Sequence, residues 1–484
     1  MPYLDYAASA PLRPEALAAM LPLLERPAAN PSSQHGQGRA ARAAVETARE
    51  QVAALVGAAP GEVVFTSGGT EADNLAVKGT VLARAPEARH LVCSAVEHHA
   101  VLDAAAWAAA DAGAQLDLAP VDGLGRVDPA RLGALLQPGR TALVAVMAAN
   151  NEVGTGQPVA AVAELAHAAG AVLLCDAVQA AGLPGVDMAA DGIDLLALAP
   201  HKLGGPTGVG ALVVRSGITL RPLVHGGGQE RGLRSGTLPA AALAGFGAAA
   251  AAALADRRTG AGTLATLRSR LLTGLRSLAP DLEVNGDPGP VAGGAPAEGG
   301  DGATPGPPGA RPGLPGLLSV RFPGRRAEDL LLLLDRHEVA CSAGSACASG
   351  AVTPSHVLVA MGRGPAVARE TVRFSLGHAS TQADVDATVA AVAQALDVLA
   401  PPDRPLDRRR SGPPARPAER PATDRRVAPT GRGPAVDRRA ASAGPGDGSA
   451  PGQPDAPGSR GPGSRRPGSR GPVSRGPGSQ GVER

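Results

Sequence analysis

The sequence predicts an α/β fold built on a mostly parallel, doubly wound sheet. Two observations carry this. Short apolar runs, "EVVFTS", "HLVCS", "TALVAVMAAN", "AVLLCDA", "DLLALA" and "GVGALVVR", are nearly continuous in Val, Leu and Ala, as strands buried on both faces must be. Ala-rich stretches of helix length separate several of them, as crossovers between parallel strands require. In such folds ligands bind beyond the carboxyl ends of the strands, so the residues after each run are the candidates for chemistry.

Composition bounds the rest. The chain has 484 residues, 44 % hydrophobic and 19 % charged, enough for one large or two medium domains. Aromatic residues make up 1 %, so the core is expected to be Ala, Val and Leu. No apolar run reaches the length of a membrane span. The opening "MPYLDYAASAP" carries Asp5 and two tyrosines where a signal peptide needs apolar residues, so no leader is expected. Four cysteines in a long chain do not make a disulfide framework. These readings predict a soluble cytoplasmic protein with reduced thiols and no membrane partner.

Two stretches look unable to bury a core. Residues 401–484 are rich in Pro, Gly, Ser and Arg, and hold 17 Arg against 8 Asp and Glu, a net charge of +9. The first 400 residues are therefore mildly acidic, about −7 within the chain's +2. The tail is expected to be disordered, and it lacks the aromatics that stack bases, so a nucleic-acid partner is not expected. A second low-complexity stretch, 286–313, lies between the strand-like "LEVN" and "LLSVRF" and reads as a surface insertion.

Each strand end offers a functional and a plainer reading. After "VVFT" come Ser67, Gly68, Gly69 and Thr70 and then a helix, either a phosphate cradle or a well-capped turn with Asp73 completing a capping box. The motif is no P-loop. After "AVLLC" come Asp176 and Gln179, a helix cap or a counter-charge for a bound cationic ring. After "DLLALA" come His201 and Lys202. The chain has 44 arginines and two lysines, Lys78 and Lys202, so a lysine here is an unusual choice. It is either a solvated loop residue or the amine of a Schiff base, a task guanidinium cannot take over. A phosphate cradle, a buried carboxylate and a lysine at neighbouring strand ends are together what pyridoxal 5′-phosphate needs.

Four more features are candidates. His98 follows "HLVCS" and suits stacking on a ring, proton movement or simple capping. Cys347, in "SAGSACASG", is a candidate nucleophile, with a structural thiol or a metal ligand as alternatives. The spacing from Cys341 to Cys347 is not that of a zinc knuckle, and no metal is expected. Arg373, in "VRFSLG", suits a substrate carboxylate or a surface ion pair. The "HGGG" of 225–228 suggests an esterase oxyanion loop, but no G-x-S-x-G elbow accompanies it.

These motifs, in order from "YLDYAASAP" through "NPSSQHGQGRAAR", "FTSGGTEADNLA", "EHHAVL", "NNEVG", "DAVQ", "HK", "HGGGQERGLRSGTLP" and "SAGSACASG" to "RFSLG", resemble the cysteine desulfurases of the NifS/IscS type, within the class V aminotransferases. The resemblance spans about residues 3–398. It implies the type I fold of pyridoxal-phosphate enzymes, with a large domain over 15–255, a smaller α+β domain from 1–14 and 256–400, and a homodimer. It implies that Lys202 bonds the cofactor and His98 stacks on its ring. Asp176 and Gln179 would contact the ring nitrogen and phenolic oxygen. Gly69, Thr70 and His201 would bind the phosphate, together with Thr237 from a partner subunit. Asn151 would lie near ring and substrate, Arg373 would hold the carboxylate of L-cysteine, and Cys347 would carry the sulfur to a protein acceptor, an iron–sulfur scaffold or a tRNA-thiolation enzyme. The stretch from Cys347 to "PSHVL" resembles the longer catalytic loop of this group.

The chain departs from the family pattern at Ala199-Pro200, where a serine usually precedes the His-Lys pair by two positions. Loss of that hydroxyl is expected to weaken cofactor binding, and Pro200 to restrict the backbone. Gly69 is a mild variant of an often-Ala position. Two other activities fit the same motifs less well: another class V enzyme such as a selenocysteine lyase, and a non-catalytic sulfur carrier or assembly scaffold.

Overall fold

The structure is a computed structural model that describes residues 1–25, 29–182, 186–287, 310–343 and 354–399. Most of the 286–313 stretch, the whole of 401–484 and Cys347 lie outside the described residues.

Seven strands form the larger sheet: β1 (Val63–Thr66), β2 (His90–Ser94), β3 (Gln115–Ala119), β4 (Thr141–Ala145), β5 (Val172–Asp176), β6 (Leu195–Leu198) and β7 (Gly210–Val214). Their order is β1-β7-β6-β5-β4-β2-β3. Neighbours from β6 to β3 are parallel, and β7 runs antiparallel to both β6 and β1. Every residue of β1, β2, β4, β5, β6 and β7 is buried, which is why each reads as an unbroken apolar run. β3 is one of the two edge strands, the other, β1, being fully buried. Its "QLDLA" is mostly exposed or half-buried and gives no such run, so the sequence does not reveal it.

Eleven helices are described: α1 (Pro14–Leu24), α2 (Gly36–Leu55), α3 (Gly69–Ala83), α4 (His99–Asp111), α5 (Pro129–Gly133), α6 (Val159–Ala168), α7 (Ala240–Leu278), α8 (Ala327–Arg336), α9 (His356–Ala360), α10 (Pro365–Arg369) and α11 (Gln382–Leu399). Alternate strand residues point to opposite faces, and both faces are covered. Phe65, Val144, Leu173 and Leu196 pack with residues of α2, α6 and α7. Val64, Leu143, Leu174 and Leu195 pack with residues of α3 and α4. Small residues let layers come close where aromatics are scarce. On α7, a Cβ on Gly247 would fall 2.6 Å from the Ala48 Cα of α2, so only glycine admits that approach.

A second sheet holds β8 (Glu283–Asn285), β9 (Leu317–Arg321), β10 (Ser342–Ala343) and β11 (Thr371–Ser375), all antiparallel, in the order β10-β11-β9-β8. Its core joins Val320, Phe374 and Val372 to Leu271 and Leu275 of α7, Leu330 of α8 and Val392 of α11. α7 is therefore shared, its first half on the large sheet and its second on the small one. The N-terminal segment runs along the small sheet: Tyr3 and Asp5 make parallel bridges to Ala340 and Ser375. No described helix is long and apolar enough to cross a membrane.

Candidate functional site

β2, β4, β5 and β6 run in one direction, and β1 shares it through two antiparallel steps, so all five present their carboxyl ends at one edge. The turns after them line a cavity of about 370 Å³. Gly69, Thr70, His98, Asn151, Asp176, Gln179, His201, Lys202 and Arg373 all lie in its wall. Residues separated by 304 positions in the chain thus meet at one place.

Lys202 ends the 3₁₀ turn Pro200–Lys202 that follows β6. Pro200 occupies its first position, where a missing N–H costs nothing, and its carbonyl accepts from Leu203 at 2.7 Å and Gly205 at 2.8 Å. The restriction expected of Pro200 is thus used to shape the turn. Lys202 Nζ donates to the carbonyls of Ala7 and, at 2.8 Å, Ala8. His201 is held neutral, its pKa lowered to about 4 by burial and by the neighbouring Lys202 charge.

His98 is the N-cap of α4, and its Nδ1 accepts the Ala100 N–H at 3.1 Å. Capping and cavity lining are therefore one role, not two. Asp176 closes β5, and its Oδ1 accepts the Val178 N–H at 2.9 Å. Burial raises its pKa, while His98, that N–H and Lys202 pull the other way.

Asp73 does not complete a capping box. The N-cap of α3 is Gly68, with no side-chain cap bond; Glu71 instead accepts the Ser67 N–H at 2.8 Å. Asp73 is 1 % exposed in the cavity wall, and its Oδ1 has no hydrogen-bond partner. Burial and the nearby Asp176 and Glu97 raise its pKa. Glu97 is likewise buried and pushed up to about 8 by burial, with Asp176 adding to the rise. Asp73 and Asp176 thus line the cavity with Glu97 buried nearby, and burial raises the pKa of all three.

Arg373 is no surface ion pair. It sits in the middle of β11, 1 % exposed. Nη2 donates to Asp5 Oδ1 and Nη1 to the Asn151 carbonyl, both at 3.0 Å, and Nε is buried without a partner. Asp5 has no assigned role in the sequence reading; the signal, an acidic residue in the N-terminal "YLDY", becomes legible once Arg373 is seen opposite it.

Within one chain Thr237 is not at the cavity. It is exposed on a separate, largely apolar groove of about 670 Å³ with Met20, Leu24 and Leu238. Its loop is tied to α2 and α3, the helices before and after β1, by two bidentate pairs. Arg49 grips Glu230 at 2.8 and 2.9 Å, and Arg234 grips Glu71 at 2.9 and 3.3 Å. Among the described residues no cluster of three or more His, Cys, Asp or Glu could hold a metal ion.

Comparison with known proteins places this arrangement. The family Aminotransferase class-V matches residues 2–288 and 308–388. The chain is 43 % identical over 395 residues to an IscS-like cysteine desulfurase of Mycobacterium tuberculosis, covering 80 % of this chain and 94 % of that protein. It is 37 % identical over 397 residues to the cysteine desulfurase IscS of Methanosarcina thermophila, covering 82 % and 92 %. Among solved structures it matches a NifS-like protein with a TM-score of 0.72 at 32 % identity, over 82 % of this chain and 99 % of that one. SspA in complex with cysteine matches with a TM-score of 0.63 at 31 % identity, over 78 % and 99 %. The sheet, the cavity and these matches agree: the chain belongs to the class V aminotransferases, among the pyridoxal-phosphate-dependent cysteine desulfurases of the IscS/NifS type.

Proposed function

We propose that this protein converts L-cysteine to L-alanine and takes the sulfur as a persulfide on Cys347, for delivery to a protein that assembles iron–sulfur clusters or thiolates tRNA. The observation that carries this reading is the meeting of Lys202, Asp176, His98 and Arg373 around one cavity.

The wall suits pyridoxal phosphate. Asp176, a buried carboxyl in the cavity wall, suits a protonated ring nitrogen. Gln179 has a buried amide oxygen with no partner, an unmade bond that a ligand's polar atom would complete. The flat imidazole of His98 suits a ring face. The amino end of α3, with Gly69 and Thr70, and the neutral His201 suit the phosphate. When bound, the cofactor supplies an electron sink for the substrate α-carbon.

In this reading the protein's residues do the following. Arg373 holds the substrate carboxylate. Lys202 Nζ takes the α-proton; the other lysine, Lys78, lies over the Trp107 ring at 4.5 Å and is not a cavity residue. The Cys347 thiolate attacks the substrate sulfur: a sulfur–sulfur bond forms, the carbon–sulfur bond breaks, and its electron pair is protonated to give the methyl group of alanine. Asn151 lines the cavity, and its carbonyl steadies Arg373.

A homodimer also belongs to this reading. Thr237 lies outside its own chain's cavity, in an apolar groove beside the exposed Leu24. That location suits a residue that serves a partner's phosphate. Residence in the cytoplasm is proposed with it. The test is alanine production from L-cysteine with added pyridoxal phosphate and a reductant. Alanine with matching sulfide supports the reading. Turnover confined to L-selenocysteine would replace it by a lyase, and a protein that binds the cofactor but makes no alanine from either would refute it.

A further inference from the structure

We propose that Asp5 is the positioning residue for Arg373 and thereby sets how tightly the site holds an amino-acid carboxylate; the inference rests on the desulfurase reading above. A guanidinium offers five N–H donors in a rigid planar fork, but its long stem is flexible. Two acceptors on separate segments fix the plane here: Asp5 Oδ1 on Nη2 and the Asn151 carbonyl on Nη1, each at 3.0 Å. The buried Nε–H is left without a partner in a residue that lines the cavity. The second N–H of each Nη, unused by Asp5 and Asn151, is what a substrate carboxylate would take.

Asp5 is itself held. Leu4 donates to the Ala340 carbonyl at 2.8 Å, and Ser375 donates to the Leu4 carbonyl at 2.7 Å. The Ala8 and Ser9 N–H groups close back on the Asp5 carbonyl at 3.0 and 3.2 Å. The same short segment supplies the Ala7 and Ala8 carbonyls to Lys202 Nζ, and Ala10 donates to the His201 carbonyl at 2.7 Å. Residues 5–10 therefore touch both cationic side chains of the cavity and tie the small sheet to the lysine turn.

The test compares Asp5→Ala, Asp5→Asn and Asp5→Glu holoenzymes. L-alanine and cysteamine are titrated, and binding is read from the visible absorbance of the bound cofactor. L-alanine has the carboxylate, whereas cysteamine has the amine and thiol without it. Asp5→Ala should weaken L-alanine by about tenfold or more and leave cysteamine within about twofold. Asp5→Asn keeps the acceptor oxygen and should stay within about threefold of the parent, whereas Asp5→Glu moves that oxygen and should lose as Ala does. In turnover, Asp5→Ala should raise KM far more than it lowers kcat. Equal losses for both ligands, no loss for L-alanine, or an Asn variant no better than Glu would overturn the inference. If Asp5→Ala does not fold, the Asn and Glu pair decides alone. A parent holoenzyme whose spectrum ignores L-alanine, L-cysteine and cysteamine alike would overturn the desulfurase reading, and this inference with it.

Discussion

Val178 occupies the space in which a side chain on Gly69 would begin. An ideal Cβ on Gly69 would lie 2.7 Å from Val178 Cγ2, closer than real Cβ contacts come. Gly69 opens α3, where the phosphate is expected, and Val178 follows Asp176. The glycine is therefore matched to its neighbour and is more than the mild variant its sequence position suggests.

Gly69→Ala should accordingly destabilise the protein by about 1–3 kcal/mol through overpacking and weaken cofactor binding. Adding Val178→Ala should restore most of both. Thermal unfolding and cofactor titration of the single and double variants check this. Additive losses in the double variant would contradict the pairing.

Ala199 lies beside the same turn, its Cβ 3.7 Å from that ideal Cβ. A hydroxyl at 199 would stand next to the amino end of α3, as the family pattern suggests. A hydrogen bond to a charged group contributes about 1.5–3 kcal/mol, so Ala199→Ser should tighten pyridoxal phosphate by about tenfold or more. The dissociation constant for the cofactor measures it. An unchanged value would mean that the turn around Pro200 already meets the phosphate without that group.

Much of this arrangement was legible in the chain because buried parallel strands announce themselves as apolar runs, and the residues after them carry the chemistry. β5 with Asp176 and β6 with Lys202 are the clearest cases. What stayed hidden has physical reasons. β3 is mostly exposed or half-buried at a sheet edge and gives no run. Asp73 sits three residues after Thr70, a spacing shared by a capping box and by one inward-facing helical turn, and tertiary burial decides between them. Asp5 and Arg373 are 368 residues apart, so their pairing depends on how the N-terminal segment threads beside β11.

Glu97 makes stability depend on pH. Its Oε1 accepts the Met147 N–H at 2.8 Å, its Oε2 has no partner, and burial raises its pKa from 4.5 to about 8. A raised folded-state pKa means that the native chain holds the proton more tightly than the unfolded one. The contribution is full below pH 4.5 and is lost as pH rises through about 8. Glu152 acts in the same sense, raised to about 7 by burial. In cofactor-free protein, unfolding free energy should fall with pH across this window, by up to about 1.4 kcal/mol per unit from Glu97 alone. Glu97→Gln should remove that share of the slope. Denaturant unfolding at pH 5, 6, 7 and 8 tests it, and parallel profiles for parent and variant would refute it.

The two thiols of "ACSAGSAC" should behave oppositely. Cys341 packs against the core of the small sheet, and burial, with Asp5 nearby, pushes its pKa up to about 12. It holds almost no thiolate at neutral pH and cannot act as a sulfur nucleophile there. Cys341→Ser should therefore keep persulfide formation and transfer within about threefold of the parent, with some loss of stability. Cys347→Ser should abolish both while leaving cofactor absorbance and the binding of L-cysteine in place. Mass spectrometry of the protein after one turnover separates the cases: a gain of one sulfur in the parent and in Cys341→Ser, and none in Cys347→Ser. Sulfur retained on Cys341 in the Cys347→Ser protein would show that its thiol is less buried in solution than the fold implies, and would reassign the carrier.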